Sequence, residues 1–152
     1  MNLQEQYNKI VKEKKPKGFL TTIFKMCDPN EIDNIPFQFD FYNSNKDTVC
    51  SYIIQDEIIE VNKNVKIFKD EKTEMKQLEI KNIKTSYKNL PTEEILKKYN
   101  EKISKVIIIL QEKTWNISYI TTSLNLINIR IGAETNEILS ETKESITSLK
   151  AK

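Results

Sequence analysis

Histidine is absent from this 152-residue chain. That removes the commonest general base, the usual imidazole metal ligand and the group that activates serine and cysteine nucleophiles. Glycine is nearly absent, and two residues, Gly18 and Gly132, are too few for a phosphate-cradling loop. No stretch approaches the ~20 consecutive apolar residues that span a bilayer, and the opening MNLQEQYNKI lacks the charged-then-apolar order of a signal peptide. The expected location is therefore cytoplasmic or virion-associated. Cysteine occurs twice, at Cys27 and Cys50, and without a secretion signal both are expected to be reduced, small core residues. The Asn116-Ile117-Ser118 sequon is then idle. All four prolines lie at or before Pro91, which leaves Gly132 as the single backbone breaker in the last sixty residues. A surplus of one charge is missing too. Net charge is +2, from 24 basic and 22 acidic residues, so nothing draws the chain as a whole to nucleic acid or anionic membrane.

No constellation replaces the missing parts. Asp28, Glu31 and Asp33 lie close together, but Pro29 interrupts them and the glycine of a calcium loop is lacking. Asp56 and Glu57 are adjacent and would point to opposite faces of a strand, the wrong arrangement for an acid–base pair. The sequence thus implies no enzyme, no cofactor and no metal.

Hydrophobic residues, 38% of the chain, and charged residues, 30%, indicate a folded protein. Leu3, Tyr7, Ile10 and Val11 mark a short amphipathic helix ended by Pro16 and Gly18. Its far side and end carry Lys12, Lys14, Lys15 and Lys17, a solvated face that could also contact a polyanion. Strands are predicted over 19–24, 37–41, where three phenylalanines alternate with Gln38 and Asp40, and 48–54. Ile59, Val61, Val65 and Ile67 suggest a hairpin turning at Asn62-Lys63-Asn64, and a further strand is expected up to about Ile83. Residues 19–58 carry seven acids against Lys25 and Lys46, and residues 59–90 carry eight lysines against five acids. A head with two oppositely charged sides is expected.

From Pro91 onward an apolar position recurs every seven residues at Ile103, Leu110, Ile117, Leu124, Ile131 and Ile138. A second seam follows three residues later at Val106, Ile120 and Ile127, with Lys113 among them. This is the spacing of a coiled coil, and isoleucine at both seams favours a trimer over a dimer. A helix from about 92 to 149 would be roughly 85 Å long and would have to pair with copies of itself. The chain reads as an α+β protein: a β-rich head over 1–90 with a short N-terminal helix, then a helical stalk over 91–152. The alternative is a compact α+β domain with strands at 115–122 and 126–131, where β-branched and aromatic residues cluster, and helices only at 92–105 and 133–149. Trp115 is expected to pack in the core or against the head.

The functional expectation is a non-enzymatic structural or scaffolding subunit that self-associates through the stalk. Its head would meet a protein partner in a larger assembly, such as a viral or phage structure. The alternative is a nucleic-acid or anionic-surface binding module using Lys12, Lys14, Lys15 and Lys17 with the lysines of residues 63–88.

Overall fold

The computed structural model describes residues 1–66 and 74–147. Helix α1 (Leu3–Lys14) begins where the Asn2 side chain accepts a hydrogen bond from the Glu5 backbone N–H at 2.8 Å. It ends at Lys15, which takes the left-handed conformation and returns its N–H to the Val11 carbonyl at 3.1 Å. The helix lays Tyr7 and Ile10 on the sheet, with Tyr7 stacked over Phe41 at a ring separation of 6.1 Å.

Eight strands follow: β1 (Phe19–Cys27), β2 (Gln38–Asn43), β3 (Thr48–Gln55), β4 (Glu57–Lys66), then, after the short helix α2 (Thr92–Lys97), β5 (Ile103–Gln111), β6 (Thr114–Thr121), β7 (Asn125–Gly132) and β8 (Ile138–Ser145). They form one antiparallel sheet in the order β4-β3-β2-β1-β5-β6-β7-β8. Two meanders are thus joined where β1 pairs β5, with Ile23 opposite Leu110 and Cys27 opposite Val106. Alternation along each strand sends Ile23, Phe39, Phe41, Ile108, Leu110, Ile117 and Ile129 to one face, where α1, α2 and residues 78–95 cover them. The opposite face carries Phe24, Ile107, Ile109 and Ile120, half-buried and outside that core.

The long C-terminal helix is not there. Helix α2 stops after six residues, Asn100 turns the chain at φ 48°, and the supposed stalk becomes four strands. The seam positions dissolve accordingly. Val106, Leu110, Ile117, Ile127 and Ile131 are fully buried within the monomer, and Ile103 packs on the same core. Leu124 stands 58% exposed in a turn, and Ile138 is 49% exposed on the outermost strand β8. Ile117 and Ile120, neighbours on a helix, point to opposite faces of β6. Lys113 sits in the β5–β6 turn beside Glu134 at 3.6 Å. The physical cause lies in composition: run after run of β-branched isoleucine lowers helix propensity and suits the pleat. Turns that look weak in sequence are carried by left-handed Glu112 (φ 54°), Leu124 (φ 62°) and Asn136 (φ 63°).

The strands weighed at 115–122 and 126–131 are present as β6 and β7, whereas the helices placed beside them at 92–105 and 133–149 give way largely to β5 and β8. In the N-terminal part, β4 runs unbroken through Asn62-Lys63-Asn64, and the register shifts against β3 instead of reversing. The reversal comes earlier, at Asp56 with φ 65°, between paired Gln55 and Glu57. Ile67 and the C-terminal tip from residue 148 lie outside the described residues. No strand forms near Ile83. Residues 74–90 hold two single 3₁₀ turns and touch the sheet by isolated bonds, such as Leu78 N–H to the Leu20 carbonyl at 2.8 Å and Lys84 N–H to the Ala133 carbonyl at 2.9 Å.

Candidate functional site

The covered face of the sheet is not fully covered. Trp115, fully buried in β6, supports two rings above it, Phe37 at 6.4 Å and Tyr87 at 6.1 Å between centroids. Its indole N–H donates to the Thr85 hydroxyl at 3.1 Å, and that hydroxyl donates to the Ala133 carbonyl at 3.0 Å. The segment 85–87 is thereby pinned to the sheet, as a buried indole N–H needs a partner. Between this segment, the β1–β2 connection and the first turn of α1 lies a cleft of about 730 Å³. That is the size of a small-molecule site.

Lys25 is the buried charged group among the cleft's lining residues. Strand alternation places it on the core face between Ile23 and Cys27, and it is only 8% exposed. Its ammonium donates to the Ile32 carbonyl at 2.7 Å and lies 4.1 Å from the centroid of the Phe37 ring. Among the described residues no carboxylate pairs with it; Asp33, the acid that bears on its charge, faces Lys88 at 3.9 Å. Burial pulls the Lys25 amine below the usual lysine range, against the smaller opposing influence of Cys27 and Asp33. Burial likewise raises the Tyr87 phenol far above its ordinary range. Lys81, Lys84 and Lys88, all exposed, rim the cleft, with Asp33 and Asp56 as its acids.

Chemically, the arrangement offers cations, apolar walls and hydroxyls, with no acid–base or nucleophile–base pair among the described lining residues. No group of three or more Cys, Asp or Glu side chains converges among the described residues. Asp28 pairs with Lys105 at 2.6 Å. The other notable carboxylates are occupied structurally. Glu101 accepts from Ser123 at 2.6 Å and Asn125 at 2.7 Å and faces Lys143 at 3.3 Å, which fastens the β6–β7 turn. Those hydrogen bonds hold its carboxyl below the ordinary glutamate range. Glu141 is bound by Lys98 and Tyr99, with the same result. Asp40, on the far face of β2, accepts from Gln38 at 2.9 Å and Ser51 at 2.6 Å, yet burial raises its carboxyl above the usual aspartate range. Cys27 and Cys50 are free thiols, the first buried and the second half-buried.

The sequence-predicted lysines divide. Lys12, Lys14, Lys15 and Lys17 are exposed at the C-terminal end of α1. The cleft meets that helix at its other end, roughly 16 Å away along the axis. Of the mid-chain set, Lys81, Lys84 and Lys88 reach the cleft, while Lys63 and Lys66 lie on the outermost strand β4. Lys25 was missed because the first strand is read as ending at Phe24. Continued to Cys27, the alternation Ile23-Lys25-Cys27 places a lysine on an apolar face, which is the signal that finds it.

No protein-family model matches the chain, and no curated protein matches it. Among solved structures, the crystal structure of a "putative lipoprotein" from Clostridium difficile 630 superimposes with a TM-score of 0.52 at 14% identity, over 95% of this chain and 93% of that one. At that identity the likeness is one of fold alone. The coiled coil on which the reading of a self-associating stalk rested is replaced by strands β5 to β8. No helix among the described residues is long and apolar enough to cross a membrane.

Proposed function

We propose that this chain is a non-enzymatic binding module whose cleft between α1, the β1–β2 connection and residues 80–88 takes a small organic anion. The observation that carries the reading is the coincidence in one cavity of a buried lysine, three rim lysines and the aromatic walls Phe37 and Tyr87. Aromatic and aliphatic walls supply apolar contact, and the few charged groups select the sign of the ligand. The scaffold reading drew its support from the stalk, which is absent, and it is not carried further.

Binding of anilinonaphthalene sulfonate, an anionic aromatic probe, tests the proposal. Trp115 is the single tryptophan and lies beneath the cleft walls, so its emission reports on occupancy. Saturable one-to-one binding is expected, weakened severalfold at low salt by Lys84→Glu with Lys88→Glu and unchanged by Lys12→Glu with Lys15→Glu. Absence of saturable binding, or indifference to the cleft pair, overturns the reading. Loss through the α1 pair would instead favour the polyanion surface. As to location, the fold neighbour's description raises attachment at a membrane surface, and fractionation of cells expressing the protein decides it.

A further inference from the structure

We infer that Lys25 is the anchor for the carboxylate of a monoanionic amphiphile whose apolar body lies along Phe37, Ile83 and Tyr87. The inference rests on the binding reading above and names the chemistry of its ligand. A buried ammonium is ordinarily paired with a carboxylate, because desolvation of an unpaired charge is expensive. Lys25 has three N–H donors and uses one, on the Ile32 carbonyl. The Phe37 ring face beneath it offers cation–π attraction but accepts no full charge. Lys25 lines the cleft, and anchoring requires a ligand entering there to meet its unused donors. Burial depresses its basicity, and nearby Cys27 and Asp33 only partly offset this.

The ligand's features follow from these groups. A single buried cation asks for a single negative charge, which favours a carboxylate over a phosphate dianion. The rim lysines are exposed and screened, so they steer the ligand inward and fix it weakly. Ile32, Ile35, Pro36 and Ile83 give the remaining wall its apolar character. A flexible chain or flat ring of moderate size matches a cleft of about 730 Å³.

Decanoate and its neutral counterpart decanol, competed against anilinonaphthalene sulfonate on the full chain, separate the claims. The unmodified protein is expected to prefer decanoate by about 10- to 100-fold, the range of a charge-assisted hydrogen bond. Lys25→Met and Lys25→Gln should abolish that preference while leaving decanol binding intact, which also shows that the variants fold. Lys84→Met should change the preference by less than about threefold. Retention of the decanoate preference in both Lys25 variants overturns the anchoring role and leaves the cleft as the binding site. Failure of both compounds to displace bound anilinonaphthalene sulfonate overturns the amphiphile inference and leaves the cleft as an anion site, whereas failure of the probe itself to bind overturns both.

Discussion

Ile117 and Ile120 distinguish a sheet from a helix more sharply than any other pair in the chain. Ile117 is fully buried on β6, opposite Ile108 of β5 and Ile129 of β7. Ile120 is half-buried on the other face and belongs to no part of the core cluster. Ile117→Ala removes three carbons, about 2.4 kcal/mol of transfer free energy at ~0.8 kcal/mol each. A residual cavity of roughly 60 Å³ adds about 1.5 kcal/mol at ~24 cal/mol per Å³. The sum, about 4 kcal/mol, corresponds to a fall in Tm of roughly 8–16 °C for a chain of this size. Ile120→Ala leaves no enclosed cavity and forfeits about half the transfer term, so about 1 kcal/mol is expected. Urea unfolding followed by Trp115 emission measures both, since Trp115 is fully buried and becomes solvated on unfolding. Equal losses at the two positions would refute the strand alternation, because only a helix puts residues three apart on one side.

Other outcomes follow from named groups. Gly18 has φ +89°, and a Cβ there would lie 1.9 Å from the Tyr42 carbonyl oxygen. Gly18→Ala should therefore lower stability by about 2 kcal/mol or more in the same urea assay, and an unchanged midpoint would contradict the close approach of β1 and β2. Asp40 has a raised folded-state pKa, so its contribution to stability falls as pH climbs from the ordinary carboxyl value of about 3.9 through the folded one. Asp40→Asn is expected to shift the urea midpoint upward at about pH 7 and to have little effect below about pH 3.5, and a reversed order would count against burial as the cause. Glu101 behaves oppositely. Its lowered pKa stabilises the fold above the ordinary glutamate value of about 4.3, and that contribution disappears as pH falls through the lower folded value. Glu101→Gln should thus converge with the unmodified protein in acid, and a difference that persists there would show that the loss is not electrostatic.

Several elements were legible in advance because their signals are local. The N-terminal helix is read from Leu3, Tyr7 and Ile10 and from the Pro16–Gly18 stop, and α1 ends at Lys14. Phe37, Phe39 and Phe41 mark β2 by strict alternation, and Phe39 and Phe41 are buried as that pattern requires. The seven-residue series failed for a reason that is also local. In an isoleucine-rich chain a spacing of seven arises by chance across strands of eight or nine residues, and it says nothing of what each residue touches. Leu110 and Ile117 share a face through a hairpin, while Leu124 serves a turn.

The candidate site was mostly hidden. Its rim lysines stand in a stretch whose form is irregular and whose ties to the sheet are distant in sequence, such as Thr85 to Ala133 and to Trp115. Lys25 carried a readable signal in its alternation with Ile23 and Cys27, yet nothing local told that it has no acid partner among the described residues.

The sequence by itself determined the parts list: no histidine for acid–base work, too little glycine for a phosphate loop, an amphipathic N-terminal helix and a phenylalanine strand. Each of these depends on residue type or on neighbours within one turn or one strand. Only the tertiary structure decided that β1 pairs β5, that the C-terminal isoleucines belong to a sheet, and that Lys25 meets Phe37 and, among the described residues, no carboxylate. Strand pairing and charge compensation are set by residues far apart in the chain, and their free energies come into being only when burial brings those residues together.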